Sequence, residues 1–121
     1  MEEKLSYRNT VRLFAGEKCF GPGVAQLLRH VQEFHSLRSA AKAMNMAYSK
    51  AWRIIRTAET VFGCKLLSST IGGAHGGGAV LTPEAERLLA AYEAYCADVG
   101  TYAQGKFEDA FRFYRDLDHR P

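Results

Sequence analysis

A mainly α domain with a small β component is predicted from three observations. Residues 36–62 read as two short helices joined by a tight turn. Strand-like stretches flank them on both sides, and a final helix carries a long apolar stripe.

The first strand region is residues 5–20. Leu5, Tyr7, Val11, Leu13 and Phe14 alternate loosely, Ala15-Gly16-Glu17-Lys18 signals a turn, and Cys19-Phe20 returns. An N-terminal β-hairpin is expected, closed by Gly21-Pro22-Gly23. The helix that follows places Val24, Leu27, Leu28, Val31 and Phe34 on one buried stripe.

Ser39-Ala40-Ala41-Lys42-Ala43-Met44 offers small residues that a partner helix approaches closely. Asn45-Met46-Ala47 is the break, because Asn tolerates the left-handed backbone of a tight turn. A helix from about residue 47 to 62 then carries Lys50, Arg53 and Arg56. On a wheel of 100° per residue, Ala51, Ile54, Ile55, Ala58 and Phe62 share one arc. Ser49, Arg53, Arg56 and Thr60 occupy the opposite arc, with Lys50 and Thr57 at one shoulder and Tyr48 and Trp52 at the other. This is the pattern of a helix-turn-helix, whose second helix enters the DNA major groove. Trp52, at the edge of the apolar arc, is expected to be core that locks this helix.

Gly63 is positioned to end the helix. Lys65 to Thr70 and Ala79 to Thr82 read as paired strands around Ile71-Gly72-Gly73-Ala74-His75-Gly76-Gly77-Gly78. A hairpin directly after a recognition helix is a wing, so the expected architecture is a winged helix-turn-helix. Thr82 and Pro83 start the last helix as N-cap and first residue, with Glu84 and Glu86 favoured by its dipole. Along it, Leu88, Tyr92, Tyr95, Val99 and Tyr102 recur at steps of four and three, a stripe expected to bury against a second copy, with packing back onto its own domain as the alternative. Gly100 and Gly105 weaken this helix, and Phe107, Phe111, Phe113 and Tyr114 form a second aromatic cluster. Residues 1–82 are thus assigned to the winged helix-turn-helix (hairpin 5–20, helix-turn-helix 36–62, wing 65–82). Residues 83–121 are assigned to a dimerisation segment.

Composition narrows the function. Apolar content of 47% and charged content of 24% are ordinary for a globular domain. No apolar run approaches the roughly 20 residues that span a bilayer, so a cytoplasmic protein without a membrane partner is expected. Seven cations and two anions lie between Arg29 and Lys65, a local surplus of five in a chain of net charge +3. Such a patch suits a phosphate backbone, although charge alone also fits a solvated helix face. Cys19, Cys64 and Cys96 form no CxxC pair, and the four histidines share no ligand spacing, so no metal and no cofactor is assigned.

Enzymatic readings have simpler accounts. The glycine loop lacks the Lys-Ser/Thr of a P-loop and precedes a strand, Glu84 and Glu86 follow helix polarity, and Cys64 has no nearby activating His. An alternative is a winged helix that contacts only proteins, but the Ser49, Arg53, Arg56 and Thr60 face lacks the apolar anchors such a contact uses.

Three segments, in order, resemble the DNA-binding domain of the ModE family of molybdate-responsive bacterial regulators. They are Gly21-Pro22-Gly23, the run from Ser39 to Trp52 with its Tyr48-Ser49 and Ala51-Trp52 pairs, and the glycine-rich run from Gly72 to Thr82. More distantly, the Leu81-Thr82-Pro83 start also resembles LysR-type winged helices. The resemblance covers about residue 20 to about residue 98. It implies a homodimer on a palindromic operator of double-stranded DNA, contacted through Arg38, Ser39, Lys42, Tyr48, Ser49, Lys50, Arg53, Arg56 and Thr57, with Gly73, His75 and Gly76 on the wing. Asn45, Ala47, His75 and Ala85 depart from the family pattern, which has Gly, Ser, Lys and Gly there. Nineteen residues follow Tyr102, too few for the family's molybdate-binding domain, so no molybdate site is expected in this chain.

Overall fold

The computed structural model describes residues 3–70 and 78–117. Its elements run β1 (Leu13–Ala15), β2 (Glu17–Phe20), α1 (Pro22–Phe34), α2 (Leu37–Ala43), α3 (Tyr48–Phe62), β3 (Leu67–Thr70), β4 (Gly78–Leu81) and α4 (Pro83–Ala110), with a 3-10 turn over Arg112–Asp116. This is the expected helical domain with two separate antiparallel hairpins, β1–β2 and β3–β4.

The N-terminal hairpin is shorter than the residues 5–20 expected. Only residues from Leu13 onward pair, turning through Gly16 at φ 83°. Upstream, the chain runs along α4 as an unpaired segment. Val11 accepts a 2.7 Å hydrogen bond from the Tyr92 hydroxyl, Gly100 accepts from Tyr7, and Glu3 accepts from Tyr114. Tyr92 of α4 and Tyr114 of the 3-10 turn thus bond carbonyls of this segment that a neighbouring strand would have paired, and Tyr7 ties it to the α4 backbone.

One core joins every helix. Phe20, Leu27, Leu28, Val31, Ile55 and Leu66 are fully enclosed, and Ala85, Leu89 and Tyr92 bring the first turns of α4 into the same cluster. The rings of Phe62 and Tyr92 stand edge-on to Phe20. Phe34 does not join the α1 stripe. As the last residue of α1 it is 43% exposed and stacks on His30 instead. The helix then stops at His35, which takes the left-handed conformation at φ 56° without being glycine or asparagine.

Local chemistry accounts for the remaining boundaries. Ser36 caps α2 by accepting from the Ser39 N–H at 3.0 Å, and Gly63 ends α3 at φ 70°. Thr82 accepts from the Ala85 N–H and donates to the Lys65 carbonyl at 2.6 Å, so one hydroxyl ties the start of α4 to the chain entering β3. Glu59 accepts from the Leu66 N–H at 2.9 Å and fixes the exit from α3. α4 runs unbroken through Gly100 and Gly105 for 28 residues. Arg29 of α1 and Glu93 of α4 form a bidentate ion pair, which lowers the Glu93 carboxyl and raises the Arg29 guanidinium relative to their ordinary values. Among the described residues no helix is long and apolar enough to cross a membrane.

Candidate nucleic-acid interface

The turn before α3 aims this helix outward. Ala40 and Ala41 are buried so completely that α1, α2 and α3 meet at close range. Asn45 then adopts φ 53°, and the Met46 N–H closes back onto the Ala41 carbonyl at 3.0 Å. With α2 short and the turn tight, α3 lies across the domain with Ala51, Ile55 and Ala58 fully buried. The other side of α3 has to face solvent.

That outer side carries Ser49, Lys50, Arg53, Arg56 and Thr60, all exposed, with Thr57 half-buried beside them. Among the described residues none of these three cations makes an ion pair. Fifteen residues at 1.5 Å rise give a rod of about 22 Å, and a helix fits the major groove, about 12 Å wide. Guanidinium groups on such a rod reach guanine edges or phosphates, and the hydroxyls suit either partner.

An aromatic rail runs beside this face. Tyr48 and Trp52 stand edge to face, Arg38 lies 4.1 Å over the Tyr48 ring, and Arg56 lies 5.6 Å from the Trp52 ring. Each ring attracts its cation and limits where the guanidinium wanders. Trp52 is half-buried against the core, so it both packs and steers Arg56. Ser39 and Lys42 are exposed on α2, adjoining this face through the turn. Arg29, counted in the cationic surplus, is neutralised by Glu93, which concentrates the unpaired positive charge on α2 and α3.

Below the glycine-rich loop, β3 and β4 pair in register from Leu67 opposite Leu81 to Thr70 opposite Gly78. The stem is clamped to α1, where the Ala79 N–H donates to the His35 carbonyl at 2.9 Å. Gly73, His75 and Gly76, expected on the wing, lie outside the described residues.

The α4 stripe splits. Tyr92 turns inward, 7% exposed, because Phe20 and the Val11 carbonyl occupy that side. Its removal from solvent pushes the phenol up to about 12, aided by Cys96. It therefore leaves the set of residues available to a second chain. Leu88 is half-buried against its own core, and Val99 is half-buried facing the N-terminal segment. Tyr95 and Tyr102 stay outside, 56% and 69% exposed.

The N-terminal hairpin was not expected near the recognition helix. β2 packs along α3, so that Glu17 lines one groove with Ser49, Arg53 and Arg56, and Lys18 lines another with Lys50 and Arg53. More than thirty residues separate these partners in sequence, and no local pattern signals the contact. Among the described residues no cluster of His, Cys, Asp or Glu is placed to hold a metal.

The sequence profile of the bacterial regulatory helix-turn-helix proteins of the lysR family matches residues 24–86, just over half of the chain. This chain belongs to that family. The matched stretch of this lysR-family chain runs from α1 to the start of α4 and contains the whole helix-turn-helix and wing. It is also similar to the molybdenum-pterin-binding protein MopB of Rhodobacter capsulatus, 36% identical over 73 residues, 60% of this chain and 27% of that one. Against the transcriptional regulator ModE of Haemophilus influenzae it is 36% identical over 72 residues, 60% of this chain and 28% of the other. Against ModE of Yersinia pestis the figures are 35% over 82 residues, 68% and 29%. The chain thus spans under a third of the length of these curated relatives. The resemblance to ModE regulators carried by the three motifs holds, and the matched region of this lysR-family chain is a bacterial regulatory helix-turn-helix.

Proposed function

We propose that the chain is a homodimeric transcription regulator that reads a palindromic operator. In this reading α3 enters the major groove, with Arg53 and Ser49 toward base edges and Lys50, Arg56 and Lys42 on phosphates. The glycine-rich wing lies on the backbone or in the minor groove. Tyr95 and Tyr102 of α4, the outward remainder of the stripe, face the second copy. The carrying observation is the outer face of α3, where three cations and three hydroxyls sit opposite the buried Ala51, Ile55 and Ala58, with no ion pair to occupy the cations among the described residues. Unpaired Lys and Arg gain most from a polyanion, whose condensed counterions they release. Since relatives bear the names of a transcriptional regulator and of a molybdenum-pterin-binding protein, the genes controlled are proposed to serve molybdenum metabolism.

Selection of bound duplexes from a random pool tests the proposal. A palindromic winner with half-sites about one helical turn apart supports a dimer that reads sequence. Salt-sensitive binding without any enriched sequence refutes base reading, and an enriched single half-site bound by one copy refutes the dimer.

A further inference from the structure

We propose that the β1–β2 hairpin is a second wing, whose Lys18 and Arg12 grip a backbone phosphate of the duplex that α3 reads. This rests on the DNA-binding reading above and extends it to an element outside the matched family segment, which begins at residue 24.

The hairpin and α3 enclose a cleft of about 520 Å³. Arg12 and Lys18 line it from the hairpin side, and Lys50, Arg53 and Thr57 from α3, over a floor that includes Phe20 and Ile54. No carboxylate lines the cleft, and none of its four cations makes an ion pair among the described residues. Glu17 is absent from this lining and instead lines the adjoining groove with Ser49, Arg53 and Arg56.

Arg12, Lys18, Lys50 and Arg53 share this cleft, and Glu17 shares only Arg53 with it from the adjoining groove, so the cleft keeps a surplus of positive charge that an anion would relieve. The occupant has to be compatible with DNA on α3, because Arg53 and Thr57 line both the cleft and the outer face of α3. A phosphate flanking the occupied groove meets that condition and needs no second ligand. The hairpin is also held firmly enough to position a contact. Phe20 is fully buried between Phe62 and Tyr92, and Cys19 is buried with its thiol donating to the Leu13 carbonyl.

The test uses the full chain and its selected duplex, with Lys18→Ala, Arg12→Ala plus Lys18→Ala, and Lys18→Arg compared by affinity against salt. Each lost phosphate contact lowers the log–log slope by about 0.9, so between 50 and 200 mM salt the wild type loses about 3.5-fold more affinity than Lys18→Ala. The double variant should differ by about 12-fold on the same rule. Selected and random duplexes should weaken by one common factor, and Lys18→Arg should keep the wild-type slope. Lys18 is exposed, and matching thermal melts confirm that the fold survives. An unchanged slope in both alanine variants, while Arg53→Ala still weakens binding, overturns the second wing and leaves α3 as the reader. Saturable inorganic phosphate binding lost in Lys18→Ala, with that same unchanged duplex slope, overturns it in favour of a free anion. A wild type without any salt-dependent duplex binding refutes the DNA reading itself, and the second wing with it.

Discussion

Gly78→Ala probes how the wing is held. Gly78 pairs with Thr70 across the β3–β4 stem, next to the Ala79 N–H that donates to the His35 carbonyl. A Cβ at this position would lie 2.4 Å from Thr70 Oγ1 and 2.9 Å from the His35 carbonyl oxygen. The first contact is with a small side chain that rotates away. The second is with backbone held by the left-handed cap of α1, and it yields only if β4 shifts off α1. Overpacking of this kind costs about 1–3 kcal/mol, and two contacts below 3 Å place this site near the middle, at about 2 kcal/mol. Thr70→Ala in the Gly78→Ala background removes only the contact that yields by rotation, so it should recover little of that loss. Urea denaturation of the wild type and the two variants measures this, with an unchanged m value showing that only native stability moved. A loss below about 0.5 kcal/mol for Gly78→Ala would refute the clamp, since that is the range of ordinary surface changes.

Other perturbations separate the remaining contributions. Tyr92→Phe removes the hydrogen bond to Val11 and strands a carbonyl, costing about 1–2 kcal/mol in thermal or urea unfolding. Because the folded phenol is raised to about 12 from an ordinary value of about 10, its contribution is full below pH 10. It disappears as pH rises from 10 to 12, so the stability gap between wild type and Tyr92→Phe should narrow over that window. Ala47→Ser supplies the missing side-chain cap at the start of α3, where the backbone is already extended, and should stabilise by about 0.5–1 kcal/mol in the same assay.

Much of the recognition unit was legible because its signals are local. The wheel put Ala51, Ile55 and Ala58 inside and Arg53 outside, and the structure agrees. Asn45, Gly63 and Thr82 each take the backbone role their chemistry suggests. The failures sit where a distant partner decides. Phe62 belongs to the apolar arc yet is 37% exposed, because it is the last residue of α3 and stands edge-on to Phe20 at the end of the helix. A stripe spaced at four and three shows that a face will be covered, but not by what. Tyr92 is covered by its own Phe20 and Val11, while Tyr95, one turn on, is left outside. The continuation of α4 through two glycines follows the same logic, since Tyr7 donates to the Gly100 carbonyl and packs its ring on Phe107 across that stretch. Lys18 and Glu17 came to line grooves with α3 through strand–helix packing that no short-range pattern encodes.

The central claim is that the outer face of α3 reads bases, and Arg53 is its centre. Affinities of wild type, Arg53→Ala and Lys42→Ala for the selected duplex and for each of its single base-pair variants test it most directly. Arg53→Ala should lose about 1–3 kcal/mol of discrimination at one position in each half-site, while Lys42→Ala should weaken every duplex alike. A full specificity profile retained by Arg53→Ala would contradict it.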